Sequence, residues 1–183
     1  LASRQLTRET CQFFSYGVGE YFGEYVQVAQ YLDENRQVVA QKIRKKNKEF
    51  PWINRSATTQ LYGQWLWRDA GKMVVITEGE LDAMSVSQVQ NNKWPTVSLP
   101  DGAGNAAKAI KENITWLNRF EKVVLFFDND EAGREAVKAC RKFIKTGHCY
   151  VAFAPEGYKD ANDMLVKGKG SELVNVIFSA KQY

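Results

Sequence analysis

Four short apolar segments, each followed by a helical pattern, constrain the fold of this chain more than any other feature. They lie at 73–77, 96–99, 123–127 and 150–153. Strands that are apolar almost without interruption are typical of a parallel sheet with helices on both faces, because neither face is left to water. Helical periodicity is clearest at 106–117 and in a later helix that extends to Ile144. The alternation of strand and helix therefore predicts an α/β domain that ends in two short helices.

The segment that precedes this alternation predicts a small mixed α+β subdomain. Thr7 is placed to cap a short helix. Apolar and polar residues alternate along 25–31, and a second strand pattern follows at 38–43, which together predict an antiparallel hairpin. We therefore predict two domains, a basic subdomain at 1–71 and an α/β domain at 72–183.

The composition excludes several classes of protein. The chain has 183 residues, of which 44% are hydrophobic and 25% charged, as in globular domains rather than disordered or collagen-like chains. Its formal net charge of +4 fits an anionic partner, and no apolar run is long enough to span a membrane. The chain begins with Leu1 and lacks a signal-peptide pattern, so we expect a fragment of a longer protein.

Cysteine and histidine usage narrows the chemistry further. The three cysteines lack Cys-x-x-Cys spacing, which argues against a disulfide framework and favours a reducing compartment. The single histidine, His148, is expected in a turn, so neither a zinc cluster nor a histidine-activated nucleophile is expected.

Acidic residues follow two of the predicted strands directly. Glu78 ends one strand, and Asp128 and Asp130 end another, with the i, i+2 spacing that points two side chains the same way in extended chain. Carboxylates that gather at the carboxyl edge of a parallel sheet repel one another unless a cation lies between them, and Mg²⁺ prefers oxygen ligands. The pattern predicts a divalent metal site used for phosphoryl transfer. The alternative is that these acids only cap helices. Glu80 is left open as a further ligand, whereas Asp82 is favoured as a first-turn residue of the following helix.

Glycines and basic residues supply candidate contacts to nucleotide and nucleic acid. Gly102 and Gly104 form a loop whose N–H groups can approach a phosphate, or simply a turn before a helix.

A basic stretch with interleaved aromatic residues fits phosphate neutralisation and base stacking, or else a solvated loop. Its candidate binding residues are Lys42, Arg44, Lys46 and Lys48, followed by Phe50 and Trp52. Arg134 is expected to contact a triphosphate or to pair with Glu131. Trp65 and Trp67 are expected to pack the joint between the two domains.

The acidic motifs resemble those of the Toprim domain, which primases, topoisomerases and some nucleases share. Glu78-Gly79-Glu80 follows one apolar strand and Asp128-x-Asp130 another. Together with Lys159-Asp160-Ala161-Asn162-Asp163, the sequence is similar to the primase region of the primase–helicases of T7-like phages and of the related mitochondrial protein Twinkle. The likeness continues upstream at 6–11, 41–44 and 61–67 and so covers nearly the whole chain.

The resemblance implies a DNA primase core that makes short RNA primers on a single-stranded DNA template from ribonucleoside triphosphates. It implies that Glu78, Asp128 and Asp130 bind Mg²⁺ or Mn²⁺ and that Asp160 completes the acidic site. It also implies that Lys42 and Lys48 contact nucleotide or template phosphates. Lys159, in the same motif as Asp160, is a further candidate.

The family also implies partners that this chain does not carry, namely a zinc-binding module that reads the template and a hexameric helicase motor. No Gly-x-x-x-x-Gly-Lys-Ser/Thr loop occurs in the sequence. The expected location is the cytoplasm of an infected bacterium, or an organelle matrix if the parent is Twinkle-like, with no membrane association.

Two other functions remain open from the residues alone. A metal-dependent Toprim nuclease would use the same acids with water as the nucleophile. A non-catalytic module that binds single-stranded DNA would use the acids only as helix caps.

Overall fold

Two β-sheets organise the chain, which a computed structural model describes at residues 1–67 and 70–183. The first sheet has four antiparallel strands in the order β1-β2-β3-β4. Its elements are α1 (Arg8–Phe13), β1 (Tyr16–Tyr21), β2 (Glu24–Leu32), β3 (Val38–Arg44) and β4 (Trp52–Ile53). The predicted hairpin is confirmed as β2 and β3, and Thr7 caps α1 by accepting a hydrogen bond from the Thr10 amide.

Strands β1 and β4 were not predicted from the sequence. β1 contains Gly17 and Gly19, which lower its intrinsic strand propensity, and β4 has only two residues. Both strands are established by pairing with their neighbours, β1 with β2 and β4 with β3. Such short segments take their structure from the tertiary context rather than from local pattern.

The second sheet has the order β6-β5-β7-β8-β9, with β6, β5, β7 and β8 parallel and β9 antiparallel at the edge. The predicted α/β fold is therefore confirmed. Its strands are β5 (Gly71–Thr77), β6 (Thr96–Ser98), β7 (Phe120–Phe126), β8 (Cys149–Ala152) and β9 (Lys181–Gln182). Its helices are α2 (Glu80–Val89), α3 (Ala106–Glu112), α4 (Ile114–Leu117), α5 (Glu131–Cys140), α6 (Ala161–Val166) and α7 (Gly170–Phe178).

Two helix predictions need correction. The single helix expected at 106–117 is interrupted at Asn113, whose side-chain amide donates to the carbonyl oxygens of Thr59 and Ala109. An asparagine that bonds to backbone carbonyls in this way competes with helix continuation. The later helix ends at Cys140, and Ile144 is buried in the turns that follow rather than on the helix.

Alternate residues of the central strands face two different cores. Val74 and Ile76 pack with the side that carries α3 and α5, whereas Val75 packs with α6 and α7. This alternation follows from the two-residue period of a strand and explains why these strands are apolar throughout. Among the described residues, no helix combines the length and apolar character needed to cross a membrane.

A third core joins the two sheets. Trp65 contacts the rings of Tyr31 and Tyr62, and Tyr62 donates its hydroxyl to the carbonyl oxygen of Phe14 at 2.6 Å. The backbone of Tyr62 also pairs with Ser98 at the edge of β6. Trp67 donates its indole N–H to the carbonyl oxygen of Thr96. Both tryptophans therefore pack the joint, as the sequence predicts.

The turn from β7 into α5 requires glycine at position 133. A Cβ added to Gly133 would overlap the carbonyl oxygen of Asp128, whereas a Cβ added to Gly17 would meet no atom of the described residues within 4 Å. We expect Gly133→Ala to destabilise the protein by about 2–3 kcal/mol, because the backbone of the turn must move. Gly17→Ala is the matched control and should cost less than about 1 kcal/mol. Urea unfolding measures both changes, and equal values would contradict the close approach at Gly133.

Candidate active site

An open cleft of about 1090 Å³ lies between the first sheet and the carboxyl edge of the second. The turns after β5 and β7 contribute acidic residues to it, and β3 with the loop that follows contributes basic and aromatic residues. Its charged lining residues are Arg4, Lys42, Arg44, Lys48, Glu78, Glu80, Asp82, Asp101, Asp128, Lys159, Asp160 and Asp163. Acids therefore line one side of the cleft and cations mainly line the other.

Three aspartates form a cluster at the carboxyl edge. One carboxylate oxygen each from Asp82, Asp128 and Asp160 lies within 4.8 Å of the others. Asp82 is in the first turn of α2, Asp128 follows β7, and Asp160 caps α6 by accepting from the Asp163 amide at 2.7 Å. The backbone amide of Asn162 donates to Asp82 Oδ1 at 3.0 Å, so α6 holds two members of the cluster.

Glu78 lies beside this cluster, and its two oxygens differ in environment. Oε1 accepts a hydrogen bond from the Ala103 amide at 3.3 Å. Oε2 is buried and has no hydrogen-bond partner within the described residues. Burial raises the pKa of Glu78, and the charge of Asp128 raises it further. A buried carboxylate oxygen without a partner is costly unless a cation or a proton satisfies it.

Asp130 occupies a different position from the one that the i, i+2 spacing suggests. Its side chain caps α5, and Oδ1 accepts from the Gly133 amide at 2.8 Å. Asp130 is not a member of the three-aspartate cluster, although its charge contributes to the raised pKa values of Glu78 and Asp128. The structure therefore groups Asp128 with Asp160 and Asp82. Asp82 was not favoured from the sequence, yet its place in the first turn of the helix that follows β5, close to the carboxyl edge of the sheet, was a usable signal.

Lys159 reduces the electrostatic repulsion in the cluster. Its Nζ lies 3.2 Å from Asp128 Oδ2 and 4.0 Å from Asp160 Oδ2. Burial raises the pKa of Asp128, and the nearby Lys159 ammonium opposes that rise. The pKa of Lys159 is raised in turn by Asp128. Oxygen-only donors, partial burial and an excess of negative charge are the properties of a divalent-cation site, so the donor set fits such an ion.

Lys42 and Glu80, which were candidates for binding phosphate and metal respectively, form an ion pair with each other. Lys42 Nζ donates to Glu80 Oε1 at 2.7 Å and to the carbonyl oxygen of Pro100 at 2.7 Å. The hydroxyl of Tyr31 is 3.4 Å from the same Glu80 oxygen. Glu80 therefore stays outside the acidic cluster, and both charges of the pair are largely buried.

The basic stretch is divided between the cleft and the solvent. Arg44 and Lys48 line the cleft, and the Arg44 guanidinium lies 5.2 Å from the ring centroid of Phe50. Lys46 is exposed and does not line the cleft. Arg4 also lines the cleft, where it donates to Asn162 Oδ1 at 3.2 Å. Arg4 was missed because the sequence has no local motif around it.

The backbone N–H of the glycine loop that faces the site bonds to a protein carboxylate. Gly102 has a φ of 67° and lines the cleft, but the N–H that follows it, from Ala103, is donated to Glu78. Gly104 lies in the helical turn 103–105 outside the cleft lining.

Arg134 is placed outside the cleft lining as well. It donates to Asn129 Oδ1 at 2.8 Å and lies over the ring of Phe153, so the expected pair with Glu131 is replaced by these contacts. Asn129, which separates Asp128 from Asp130, donates its side-chain amide to the carbonyl oxygen of Ala154 at 3.0 Å.

The parallel sheet, the acid after β5 and the acids after β7 define a Toprim-type catalytic core. A family model described as "Toprim-like" matches residues 75–165, and one described as "Bacteriophage T7 DNA helicase/primase, N-terminal a+b fold" matches residues 1–54. The chain belongs to the family of primase domains found in T7-type primase–helicases. The predicted resemblance is thereby confirmed.

Known proteins support this assignment over the whole chain. The DNA helicase/primase of Enterobacteria phage T3 is 36% identical over 183 residues, which is all of this chain and 32% of that protein. The chain thus spans about a third of the length of this curated relative.

Two solved structures from phage T7 resemble the chain closely. The primase fragment of the T7 primase–helicase has a TM-score of 0.90 at 38% identity, over 97% of this chain and 73% of that one. The primase domains in a complex with the T7 lagging-strand DNA polymerase, an RNA/DNA hybrid and dTTP give a TM-score of 0.92 at 38% identity, over 100% of this chain and 92% of that one.

The partly buried, crowded acids contribute to the pH dependence of stability in the metal-free protein. The pKa of Asp82 lies well above its ordinary value of 3.8, first because the carboxyl is desolvated and then because Asp160 is close. A carboxyl whose pKa is raised on folding holds its proton more tightly in the folded state. Its contribution to stability is therefore complete below the unfolded-state pKa and is lost as the pH rises through the raised value.

We expect Asp82→Asn to stabilise the metal-free protein at pH 7 by at least about 1 kcal/mol, because it removes one of several crowded charges. The melting temperature of the variant should also fall less than that of the wild type between about pH 4 and pH 7. Thermal unfolding in the presence of a chelator measures both effects. Asp163→Asn is the contrasting variant, because Lys167 lowers the pKa of Asp163 and its loss should not stabilise the protein. A lower melting temperature for Asp82→Asn at pH 7 would contradict the crowding of charge.

Proposed function

We propose that this chain is the catalytic core of a DNA primase that makes short RNA primers on single-stranded DNA by metal-dependent nucleotidyl transfer. The observation that carries the proposal is the acidic cluster in a cleft whose opposite wall is basic and aromatic. Membership of the T7-type primase family supports the same reaction.

The acids have a direct role in this proposal. Asp82, Asp128 and Asp160, with Glu78 beside them, are the residues placed to hold Mg²⁺ or Mn²⁺. Such ions, when bound, activate a 3′ oxygen as a nucleophile and neutralise a triphosphate. Asp130 supports the site by fixing the start of α5 and by adding negative charge near Asp128. Lys159 lies where it can pass from Asp128 to a phosphate oxygen as the acids engage a cation.

The opposite wall serves the nucleic acid and the nucleotide. Arg44 and Lys48 are cations of this wall that can neutralise phosphates. Arg4, which lies beside Asn162 on the acidic side of the cleft, is a further cation of the lining. Phe50 is partly exposed in the same wall and offers a ring face for a base. Lys42 is held by Glu80 and Pro100 and therefore shapes this wall rather than binding phosphate directly.

The relatives indicate the partners of the longer protein. The T7 primase domains were observed with an RNA/DNA hybrid, dTTP and a DNA polymerase, and the T3 relative is a helicase/primase. We propose that this chain binds single-stranded DNA and ribonucleoside triphosphates and works beside a zinc-binding module and a hexameric helicase. The phage relatives favour phage DNA replication in the cytoplasm of an infected bacterium.

Asp128→Asn is expected to abolish primer synthesis, because it removes a charge from the centre of the acidic cluster. The loss should be about 100- to 1000-fold or more complete, as is usual when a group that stabilises transition-state charge is removed. The measurement is the formation of labelled oligoribonucleotides on single-stranded DNA with Mg²⁺ or Mn²⁺. Asp33→Asn is the matched control, because Asp33 accepts backbone N–H groups in a turn of the first sheet, away from the cleft.

Three outcomes of this assay separate the candidate functions. Products that vanish only with Asp128→Asn support the primase. Metal-dependent cleavage of the DNA without synthesis would indicate the nuclease. DNA binding without either reaction, even with a zinc-binding module supplied in trans, would contradict the proposal and leave the binding module.

Lys48→Gln is expected to weaken binding of single-stranded DNA more than Lys46→Gln, because only Lys48 lines the cleft. The slope of log affinity against log salt concentration is negative, and each phosphate contact that is lost should make it shallower by about 0.7 for single strands. Fluorescence anisotropy of a labelled oligonucleotide over a salt series measures the slope. Identical slopes for the two variants would show that the basic stretch binds diffusely rather than through the cleft.

A further inference from the structure

The loop between β6 and α3 connects the acidic site to the first sheet. It contains Pro100, Asp101, Gly102 and Ala103, and the Ala103 amide donates to Glu78 Oε1 at 3.3 Å. Gly102 has a φ of 67°, a conformation that glycine adopts freely. Because glycine adds little local restraint, the position of the Ala103 amide depends on what holds the residues on either side of Gly102.

Two cationic side chains from the first half of the chain, Lys42 and Arg55, hold this loop. Lys42 donates to the Pro100 carbonyl oxygen at 2.7 Å. The guanidinium of Arg55 binds both carboxylate oxygens of Asp101, with Nε at 3.1 Å from Oδ2 and 3.4 Å from Oδ1 and with Nη2 also donating to Oδ2. Planar fork-like pairing of this kind combines strength with fixed geometry.

Arg55 is itself fixed on the side away from Asp101. Its Nη1 donates to the Thr58 carbonyl oxygen at 2.6 Å, and its guanidinium lies 4.8 Å from the ring centroid of Trp52. Both side chains of the pair are partly exposed, with exposed fractions of 33% for Arg55 and 29% for Asp101. The contacts of Arg55 with Thr58 and Trp52 distinguish the pair from a mobile surface ion pair, whose contribution is usually small.

We propose that the Arg55–Asp101 pair is a positioning element for Glu78, an inference that rests on the proposed metal-dependent function. The pair holds Asp101, the loop carries the Ala103 amide, and that amide anchors Glu78 Oε1. The anchor leaves Oε2, the buried oxygen without a partner within the described residues, as the one available to a cation. Residues that orient a metal ligand without touching the metal commonly affect metal affinity by about 10–100-fold.

This role differs from simple stabilisation of the fold. A purely structural ion pair would change the free energy of unfolding but leave the metal affinity of the folded protein unaltered. A direct phosphate contact by Arg55 would be lost in Arg55→Ala and retained or strengthened in Asp101→Ala. If the pair positions Glu78, removal of either partner must weaken metal binding to the folded protein, because either change breaks the same contact.

The test is direct binding of Mn²⁺ to the wild type, Arg55→Ala, Asp101→Ala and the double variant, without nucleotide or DNA. Electron paramagnetic resonance of free Mn²⁺ gives the dissociation constant, and thermal unfolding shows that each variant is folded. We expect each single variant to weaken Mn²⁺ binding by about 10-fold. The double variant should be no weaker than the singles. Asp128→Asn should show the larger loss expected of a ligand.

Lys138→Ala is the matched control for loss of a cation. Lys138 pairs with Glu135 on the exposed side of α5, outside the cleft lining, so its removal should leave the Mn²⁺ affinity unchanged. Affinities of Arg55→Ala and Asp101→Ala within about twofold of the wild type would overturn the inference. An effect confined to Arg55→Ala, or additive effects in the double variant, would overturn it as well.

A second readout separates this inference from the proposed function. Primer synthesis by Arg55→Ala should recover at high Mg²⁺ concentration, because positioning changes the apparent metal affinity rather than the chemistry. If the wild type makes no primers but Arg55→Ala still weakens Mn²⁺ binding, the primase proposal fails and the positioning role stands. If the wild type makes primers and both single variants bind Mn²⁺ normally, the positioning role fails alone.

Discussion

Repulsion among carboxylates at one edge of the sheet is the constraint on which the rest of this structure depends. Parallel strands bring their carboxyl ends together, so the acids after β5 and β7 must share one region. The same topology also brings the start of each following helix to that edge. Asp82 is in the first turn of α2, Asp130 caps α5, and Asp160 caps α6. Each helix start offers backbone N–H groups and a favourable dipole of about 0.3–1 kcal/mol, which partly offsets the repulsion.

The cleft exists because a second set of interactions fixes the first sheet against this edge. Lys42 reaches from β3 to Glu80 and Pro100, and the ring cluster of Tyr31, Tyr62 and Trp65 closes the joint behind it. A buried ion pair is weak evidence for stability, because desolvation offsets much of its attraction. Its geometry is nevertheless specific, and here it determines where the basic wall lies relative to the acids. The two halves of the chain therefore form one site, although each has its own sheet.

Local patterns in the sequence predicted the central strands, the hairpin of the first sheet and the acids that end β5 and β7. Those features depend on residues close in sequence, so periodicity and turn chemistry are sufficient. The partners of Lys42 and Glu80 could not be predicted, because they come from β3 and α2 and meet only after the sheets pack. The same holds for Arg4, which reaches Asn162 across most of the chain length. Asp82 was not favoured as a metal ligand because a first-turn acid has a sufficient local explanation, and its spatial neighbours Asp128 and Asp160 are distant in sequence.

Capping and metal binding, which were alternatives at the level of sequence, are compatible in the structure because a carboxylate has two oxygens. Asp160 accepts the Asp163 amide with Oδ1, while Oδ2 is the oxygen 4.0 Å from the Lys159 ammonium. Glu78 accepts the Ala103 amide with Oε1 and leaves Oε2 without a partner within the described residues. Asp82 accepts the Asn162 amide with Oδ1. Each of these acids is anchored by one oxygen to a backbone amide, so the other can bind a cation without losing its position. An amide anchor of this kind orients the carboxylates before any ion arrives, and such preorganisation favours metal-assisted transfer of a phosphoryl group.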